Sequence, residues 1–256
     1  MDEDYESKYH RIEVEYWWFH AKRDLLLSLI EREGRKKSIL EVGCAGGALL
    51  TRLRDDGYKH IAGIDISAAA IGVCKRKKLK DVHVMDGQKT KFSEKTFDTV
   101  VASEILEHIE ADAETLHEWH RIIKPGGRLI LTVPAFGFVW SEHDDTNHHK
   151  RRYSRKELRR KLRKAGFKIE RLSFWNMLLF FPLAPWRMLT RTIKKQNEKK
   201  DDDLHDVHPL MNRLLYRLLL LENSLVRAFD LPVGLSLVAV ARRKPIKRAT
   251  GHPSSH

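Results

Sequence analysis

The sequence predicts an α/β fold in which a mostly parallel sheet carries helices on both faces. Short apolar runs rich in valine and isoleucine alternate with longer segments of helical period. Glycine and acidic residues follow the ends of the early runs, and no internal repeat interrupts the alternation. Strand alternating with helix is typical of parallel sheets. The seven predicted strands cover residues 38–42, 60–65, 82–85, 97–102, 128–133, 167–174 and 234–241.

The helix before the fifth strand shows how these elements are delimited. Leu116, Trp119 and Ile123 recur at helical spacing. The stretch 125–127, Pro-Gly-Gly, then predicts a helix stop and a turn.

A polar loop over residues 134–153 follows the fifth strand. Ser154 and Glu157 form a capping-box pattern that begins a basic helix, and Gly166 ends it. The aromatic and leucine-rich stretch before the last strand predicts a helical insertion. The expected units are an N-terminal helical cap (1–37), a core (38–174), the insertion (175–231), the last core strand (232–244) and a tail (245–256).

Composition indicates whether the chain can form a core and in which compartment it is expected. The 256 residues, 42% of them hydrophobic, suffice for a core. Two cysteines, Cys44 and Cys74, favour free thiols in a reducing compartment. The acidic N-terminus lacks the apolar segment of a secretory signal, and the longest apolar stretch (177–186) is too short to span a bilayer. A cytoplasmic protein is expected.

The positive charge is concentrated in one segment. Residues 150–200 contain 18 Lys or Arg and 3 Asp or Glu, a net +15, whereas the remainder sums to −2. Such a patch suits nucleic acid, anionic lipid or a phosphorylated substrate. A solvated helix face is the equally weighted alternative.

The stretch ILEVGCAGGALL (39–50) joins the first strand to a helix through a glycine-rich turn, which lets a ligand approach the backbone. The dinucleotide fingerprint G-x-G-x-x-G fails, because Ala45 and Ala48 occupy its later glycine positions. A phosphate-binding P-loop also fails, since no Gly-Lys-Ser/Thr follows.

Acidic residues end the first three strands. Glu41, Asp65 and Asp86 would line one edge of the sheet, where α/β folds bind ligands. Asp65 suits a ribose diol, and Asp86 could accept from an exocyclic amine. Each alone could be a turn residue or a cap.

The motifs ILEVGCAGG, GIDIS, VMDGQ, FDTVVASEILEHI and RIIKPGGRLILTVP, over residues 38–134, together resemble the class I S-adenosylmethionine-dependent methyltransferases. They are most similar to the ubiquinone/menaquinone-biosynthesis-like branch. The resemblance implies a Rossmann-like, seven-stranded sheet and S-adenosylmethionine as the cofactor. Ala45 departs from the family, which usually has a glycine there.

The same resemblance implies the cofactor residues. The loop would accommodate the methionine end, Asp65 the ribose, Ile66 and Asp86 the adenine. The implied set is Glu41, Gly43, Cys44, Ala45, Gly46, Gly47, Asp65, Ile66, Asp86, Gly87, Ser103 and Glu104, with Arg23 from an aromatic W-F...R element.

Motifs outside residues 38–134 are similar to those of a smaller group within the family. A loop reading H-D...H-K-R-R-Y, the W-F...R element (Trp18, Phe19, Arg23) and an N-x-x-x-F-P stretch from Asn176 are similar to a group of largely uncharacterised prokaryotic methyltransferases. This group implies no particular acceptor.

Methyl transfer from a sulfonium needs mainly alignment, and a base only where the acceptor must lose a proton. The predicted catalytic residues are His108, His143, Asp144 and His149, with Tyr153 as a further candidate in the same loop. The alternative is that Asp144 caps the loop and the histidines face solvent. No metal is predicted, because the His/Asp spacing matches no established ligand pattern.

The acceptor is predicted only by class. Where methyltransferases of nucleic-acid bases carry Asn/Asp-Pro-Pro-aromatic, this chain has Ser103-Glu104-Ile105-Leu106, which disfavours nucleic acid. A small-molecule or lipid-linked, phosphorylated acceptor is favoured; an RNA ribose or cap methyltransferase and a non-catalytic basic scaffold stay open. An anionic membrane surface is predicted to contact Phe174, Trp175, Trp186, Arg187 and Arg191, unless these aromatics form a core of their own. The oligomeric state is not predicted.

Overall fold

The computed structural model describes residues 16–31, 34–193 and 208–245. Within them one seven-stranded sheet has the strand order β3-β2-β1-β4-β5-β7-β6. Strands β1 to β5 are parallel, and β7 runs antiparallel to both β5 and β6. The predicted fold class is confirmed. The strands are β1 (Ile39–Val42), β2 (Ile61–Asp65), β3 (Val82–Val84), β4 (Phe97–Ser103), β5 (Ile123–Pro134), β6 (Phe167–Trp175) and β7 (Ser236–Arg243).

Helices connect and flank the strands, and two of them, α7 and α8 below, form the insertion before β7. None of the helices described is both long and apolar enough to cross a membrane. The helices are α1 (Trp17–Ile30), α2 (Ala48–Asp55), α3 (Ala68–Arg76), α4 (Asp112–Ile122), α5 (Glu142–Thr146), α6 (Arg155–Lys164), α7 (Met177–Ile193) and α8 (Pro209–Ala228), with 3-10 turns at Leu106–His108 and Gly137–Val139.

Both ends of α6 follow the sequence signals. Ser154 is the N-cap, and its Oγ accepts from the Glu157 N–H at 3.1 Å. Gly166 follows the helix with φ +93°, a left-handed conformation in which glycine is unstrained.

The Pro-Gly-Gly stretch differs from prediction. Helix α4 ends at Ile122, but β5 starts at once, and the three residues form a bulge within it. Gly126 has φ +82°, and a Cβ on Gly127 would lie 2.5 Å from the Asp98 carbonyl oxygen. The glycines therefore allow β5 to continue past its neighbour, where a turn was expected.

Buried polar groups of α8 hold the outer helices together. Glu222 accepts from the Met177 and Leu178 N–H groups (2.9 and 3.1 Å) and so caps α7. Asn223 donates to the Ala21 carbonyl at 2.8 Å and accepts from Trp175 Nε1 at 2.9 Å. Helices α1, α7 and α8 are thus joined through side chains as well as apolar contact.

The predicted membrane-facing patch needs a correction. Phe174 and Trp175 are 3% and 0% exposed and belong to the core, because both faces of β6 are covered here: Phe136 stacks on Phe174, and Trp18 and Asn223 contact Trp175. The prediction is wrong for these two residues. Trp186 is 56% exposed and Arg187 is half-buried, whereas the Arg191 side chain lies outside the described part of the structure.

Candidate functional site

The glycine-rich loop leaves β1 at the carboxyl edge of the sheet. The Gly43 and Cys44 N–H groups both donate to the Ile64 carbonyl of β2, at 2.8 and 3.0 Å. Gly43 has φ +70°, and a Cβ there would lie 2.0 Å from Ile105 Cδ1. Any other residue at this position would have to displace Ile105.

Ala45 has a positive φ of +45°, which is unfavourable for a residue with a Cβ. Its N–H donates to Asp65 Oδ2 at 2.9 Å. This conformation explains why a glycine is common at the position, and it connects the loop directly to the acid at the end of β2.

Helix α3 holds the loop through main-chain oxygens. Cys74 Sγ donates to the Ala45 carbonyl at 3.2 Å, and Lys77 Nζ donates to the Gly46 carbonyl at 2.7 Å. Cys44 and Cys74 are both buried. A hydrogen bond with Cys74, together with burial, raises the pKa of Cys44, which stays a thiol.

Two of the predicted acids leave neighbouring strands side by side. Asp65 pairs with Val84 across β2 and β3, and the Met85 N–H donates to the Asp65 carbonyl at 2.9 Å. Asp86 follows immediately and is exposed. The two carboxylates therefore flank the same edge, next to Ile66, which is 76% exposed.

The Asp65 carboxylate is fixed by backbone. Oδ1 accepts from the Ser67 N–H at 2.9 Å, while Oδ2 accepts from Ala45. Each carboxylate oxygen has a second lone pair, so the oriented group can still accept from a diol.

Three more of the predicted cofactor residues, Glu41, Gly87 and Ser103, lie at or near the ends of β1, β3 and β4. Glu41 is buried at the end of β1. A Cβ on Gly87 would meet Val42 Cγ1 at 2.6 Å, and Ser103 Oγ hydrogen-bonds Thr132 Oγ1 at 2.9 Å. Arg23 lies on α1 near Tyr216 of α8; burial and Asp24 raise the pKa of Tyr216, and the charge of Arg23 only partly offsets that rise.

A cavity of about 390 Å³ adjoins Glu104 at the ends of β4 and β5; we name it the aromatic pocket. One wall comes from α1 and α7, and the other carries polar side chains. The first wall includes Trp17, Trp18, Phe19, Leu179, Leu183 and Trp186, and the polar residues include Glu104, His108, His149, Arg152 and Asn176.

Asp144 organises the polar wall. It is fully buried, and its Oδ1 lies 2.8 Å from both His149 Nδ1 and Arg152 Nε. Its Oδ2 accepts from the Ser141 N–H at 2.8 Å. Burial alone would raise the pKa of Asp144, but these partners hold it well below its usual range. The carboxylate therefore fixes the orientation of the His149 ring.

His108 stands edge-to-face with His149, their ring centroids 4.7 Å apart. Partial loss of hydration in the pocket, followed by the neighbouring His149, lowers the pKa of His108 to about 4, although the residue as a whole is exposed; its ring is therefore neutral near pH 7. Glu107 is fully buried, and burial together with Glu104 raises its pKa.

The structure brings together three residues that could hold a metal ion, and two of them, Glu107 and His108, lie outside the loop whose His/Asp spacing was considered above. Glu107, His108 and His149 each offer a ligand atom, and these atoms lie within 4.8 Å of one another. A set of two histidines and one carboxylate suits Zn²⁺ in enzymes. This grouping is not evident from the sequence, because His149 is far along the chain from Glu107 and His108.

The structure brings some of the predicted catalytic residues together and places others elsewhere. Asp144, His149 and His108 come together, His148 is exposed, and the His143 side chain lies outside the described residues. Tyr153 is fully buried, and its hydroxyl donates to Asp112 Oδ2 at 2.8 Å. It therefore supports the loop and does not face the pocket.

Sequence reasoning missed Arg152 and Asn176 as pocket residues. Arg152 was counted only as part of a basic run, although its side chain is 4% exposed and pairs with Asp144. Asn176 belonged to a recognised motif, but nothing in the motif indicated the direction of its side chain.

A family model described as a methyltransferase domain matches residues 14–172. The chain belongs to this methyltransferase family. Among curated relatives, the ubiquinone biosynthesis O-methyltransferase of Alkalilimnicola ehrlichii is 38% identical over 107 residues, covering 40% of this chain and 42% of the relative. That of Klebsiella pneumoniae is 29% identical over 144 residues, covering 52% and 59%. The methyltransferase chain thus spans about half the length of these relatives.

Solved structures share the fold at low sequence identity. A putative methyltransferase in complex with the Haloferax volcanii Trm112 activator has a TM-score of 0.62 at 18% identity, with 98% of this chain and 97% of that chain covered. The cyclase SpnF has a TM-score of 0.59 at 19% identity, covering 90% and 87%. Since a cyclase shares the fold, the reaction has to be inferred from the site.

Proposed function

We propose that this methyltransferase domain transfers a methyl group from S-adenosylmethionine to a hydroxyl of a small or lipid-linked acceptor bound in the aromatic pocket. The observation that carries the proposal is the Asp144–His149 pair, 2.8 Å apart, at a pocket that adjoins Glu104 on the cofactor edge. The relatives named as O-methyltransferases of ubiquinone biosynthesis support an oxygen acceptor.

The cofactor residues have separate roles in this proposal. Asp65 accepts from the ribose hydroxyls, Ile66 packs on the adenine, and Asp86 accepts from its amino group. The glycines of the loop leave room for the methionine end. When bound, S-adenosylmethionine supplies an activated methyl group, so the protein contributes chiefly alignment, worth about 7–11 kcal/mol of the barrier.

His149 acts as the base. Asp144 accepts a hydrogen bond from the Nδ1–H, which leaves Nε2 with a lone pair to take the acceptor proton. His108 is neutral at pH 7 and so adds no positive charge that would disfavour protonation of His149. Arg152 balances the charge of Asp144.

His149→Ala tests this assignment. General-base catalysis contributes about 10²–10⁴-fold, so turnover should fall by that factor while S-adenosylmethionine binding by calorimetry is retained. His148→Ala is the matched control, because His148 is exposed next to it in the chain. His143→Ala extends the test to the loop residue first predicted as catalytic. Full turnover in His149→Ala would remove the base from the mechanism.

The acceptor class is tested with radiolabelled S-adenosylmethionine in cell extracts. Label in the small-molecule or lipid fraction supports the proposal. Label in RNA would instead support ribose or cap methylation, and failure to bind the cofactor would support a non-catalytic scaffold.

A lipid-linked acceptor implies contact with a membrane surface, and α8 supplies a suitable face. Leu210, Leu214 and Leu221 lie on one side of it and are 71%, 61% and 67% exposed. Arg213 and Arg217 are exposed beside this stripe, as expected for an interfacial helix on anionic lipid.

Sedimentation with phosphatidylglycerol and phosphatidylcholine vesicles tests the membrane contact. Binding should require the anionic lipid and should be lost in the double variant Leu214→Glu/Leu221→Glu. Val84→Glu is the control, because Val84 is similarly exposed (56%) on β3, at the far edge of the sheet. Absence of wild-type binding to either vesicle would end this part of the proposal.

A further inference from the structure

Three residues that line the aromatic pocket, Trp17, Glu104 and Asn176, have a buried polar atom without a hydrogen-bond partner in the described part of the structure. Glu104 belongs to the cofactor edge, whereas the proposed methyl transfer does not use the other two. Trp17 is 9% exposed and Asn176 is 2% exposed. Trp17 Nε1 and Asn176 Oδ1 both have no hydrogen-bond partner among the residues that the structure describes. Both side chains line the pocket.

Such atoms are unusual, because a buried polar group without a partner loses its hydration and gains nothing in return. Other buried indoles of this chain do have partners: Trp119 Nε1 donates to the Gly87 carbonyl and Trp175 Nε1 to Asn223 Oδ1, each at 2.9 Å. The two unsatisfied atoms, in contrast, belong to residues that line the aromatic pocket.

Both side chains are held by the fold. The Trp17 main-chain N–H donates to Asn212 Oδ1 of α8 at 2.9 Å, and the Trp17 ring contacts Tyr16 with centroids 5.5 Å apart. Asn176 has φ +62°, and its carbonyl accepts from the Phe180 N–H at 3.0 Å at the start of α7. Asparagine tolerates this conformation, but the conformation alone does not require that its amide enter the pocket.

We propose that Trp17 and Asn176 form a recognition subsite for an oxygen function of the acceptor that both accepts and donates a hydrogen bond, as a hydroxyl does. Trp17 Nε1–H donates to that oxygen, and Asn176 Oδ1 accepts from its hydrogen. The subsite rests on the proposed function, because it deepens the assignment of the aromatic pocket to the acceptor.

The other residues that line the pocket indicate the shape and polarity of the rest of the ligand. Trp18 and Phe19 from α1 and Leu179 and Leu183 from α7 together line the apolar wall of the pocket, which suits a flat apolar body. The acceptor class is therefore an aromatic or similarly flat compound with a hydroxyl placed apart from the atom that His149 serves.

A fragment series on the full chain tests the subsite without methyl transfer. Ligand-observed NMR titrations compare 2-naphthol with naphthalene, which has the same body without the oxygen. We expect wild type to bind 2-naphthol at least about tenfold more tightly. Trp17→Phe, which keeps a ring but removes the N–H, should reduce the preference to about twofold. Trp186→Phe is the control, because this indole lines the same pocket but is 56% exposed, and it should keep the preference.

Two further measurements protect against misfolded variants. In wild type, the Trp17 indole proton in a ¹⁵N–¹H spectrum should move downfield with 2-naphthol, as a new hydrogen bond requires, and should show no such downfield shift with naphthalene. Asn176→Gly preserves the left-handed backbone and removes the amide, so it should also lose the preference.

The outcomes separate the subsite from the proposed function. A wild type with no preference for 2-naphthol, including one that binds neither fragment, overturns the subsite, as does a preference retained in Trp17→Phe. A preference retained in Asn176→Gly overturns the role of the amide. S-adenosylmethionine titration is performed independently, so a chain that prefers 2-naphthol but binds no cofactor would refute the methyl transfer and keep the subsite.

Discussion

Replacing Asp144 by Asn should damage both stability and turnover. The carboxylate is fully buried and receives three hydrogen bonds of 2.8 Å, from His149, Arg152 and the Ser141 main chain. Asparagine has the same shape, but its NH₂ group must face at least one of these donors. The substitution also leaves the Arg152 charge, 4% exposed, without its counter-ion.

The size of the effect follows from these contacts. Removing one partner of a buried ion pair costs about 3–5 kcal/mol. With a urea m-value of about 3 kcal/mol/M, the unfolding midpoint should fall by about 1 M or more. Turnover should fall by about 10²-fold or more under the proposed mechanism, because residue 144 no longer holds His149 in the tautomer that has its proton on Nδ1 and its lone pair on Nε2.

Urea unfolding followed by circular dichroism measures the first effect, and methyl transfer measures the second. Asp145→Asn is the control, since Asp145 is exposed and its carboxylate accepts from Trp140 Nε1 at 3.0 Å. A loss of less than about 1 kcal/mol in Asp144→Asn, the median range for an exposed pair, would refute the description of Asp144 as a buried organising charge.

Other predictions follow from the cofactor edge and the base of the sheet. Ala45→Gly should raise the free energy of unfolding by about 0.5–1 kcal/mol in thermal or urea unfolding, because φ is +45°; a loss of stability would contradict this. Asp65→Ala should weaken S-adenosylmethionine binding at least about tenfold by calorimetry, and unchanged affinity would remove Asp65 from the ribose site. Burial would raise the pKa of Asp98, but Lys124 and Ser38 lower it well below its usual range. The stabilisation is therefore present above about pH 4, the unfolded value, and is lost on acidification below it. Asp98→Asn should show a smaller loss of unfolding free energy than wild type between pH 6 and pH 3, and parallel losses would contradict the assignment.

The fold could be predicted because it depends on local patterns. Apolar runs, the Ser154 cap and Gly166 each act on their immediate neighbours in the chain, and the structure has them as expected. The bulge at residues 125–127 was missed because the same Pro-Gly-Gly signal describes a turn and an interruption of a strand. The turn and the strand interruption can be told apart only from the close approach of Gly127 to the Asp98 carbonyl of the neighbouring strand.

The site was harder to predict because it depends on contacts between distant segments. The Asp144–His149 pair is local, and its residues were selected from one loop. Trp17 and Asn176 are 159 residues apart, and neither residue type indicates a binding role by itself. Likewise, Phe174 and Trp175 could not be assigned to the core without knowing that Phe136 stacks on the first and that Asn223 accepts from the indole of the second.

The outer helices and the glycine-rich loop are held in place by separate contacts, and this has a practical use in protein engineering. Glu222 and Asn223 fasten α1, α7 and α8 to one another through their own side chains, whereas the glycine loop is anchored separately by α3. A chimera that exchanges the three outer helices as one cassette would alter which compounds are admitted and leave the nucleoside half of the cleft intact. Grafting only one of them would break the buried polar links, so libraries for new substrate ranges should keep the trio together.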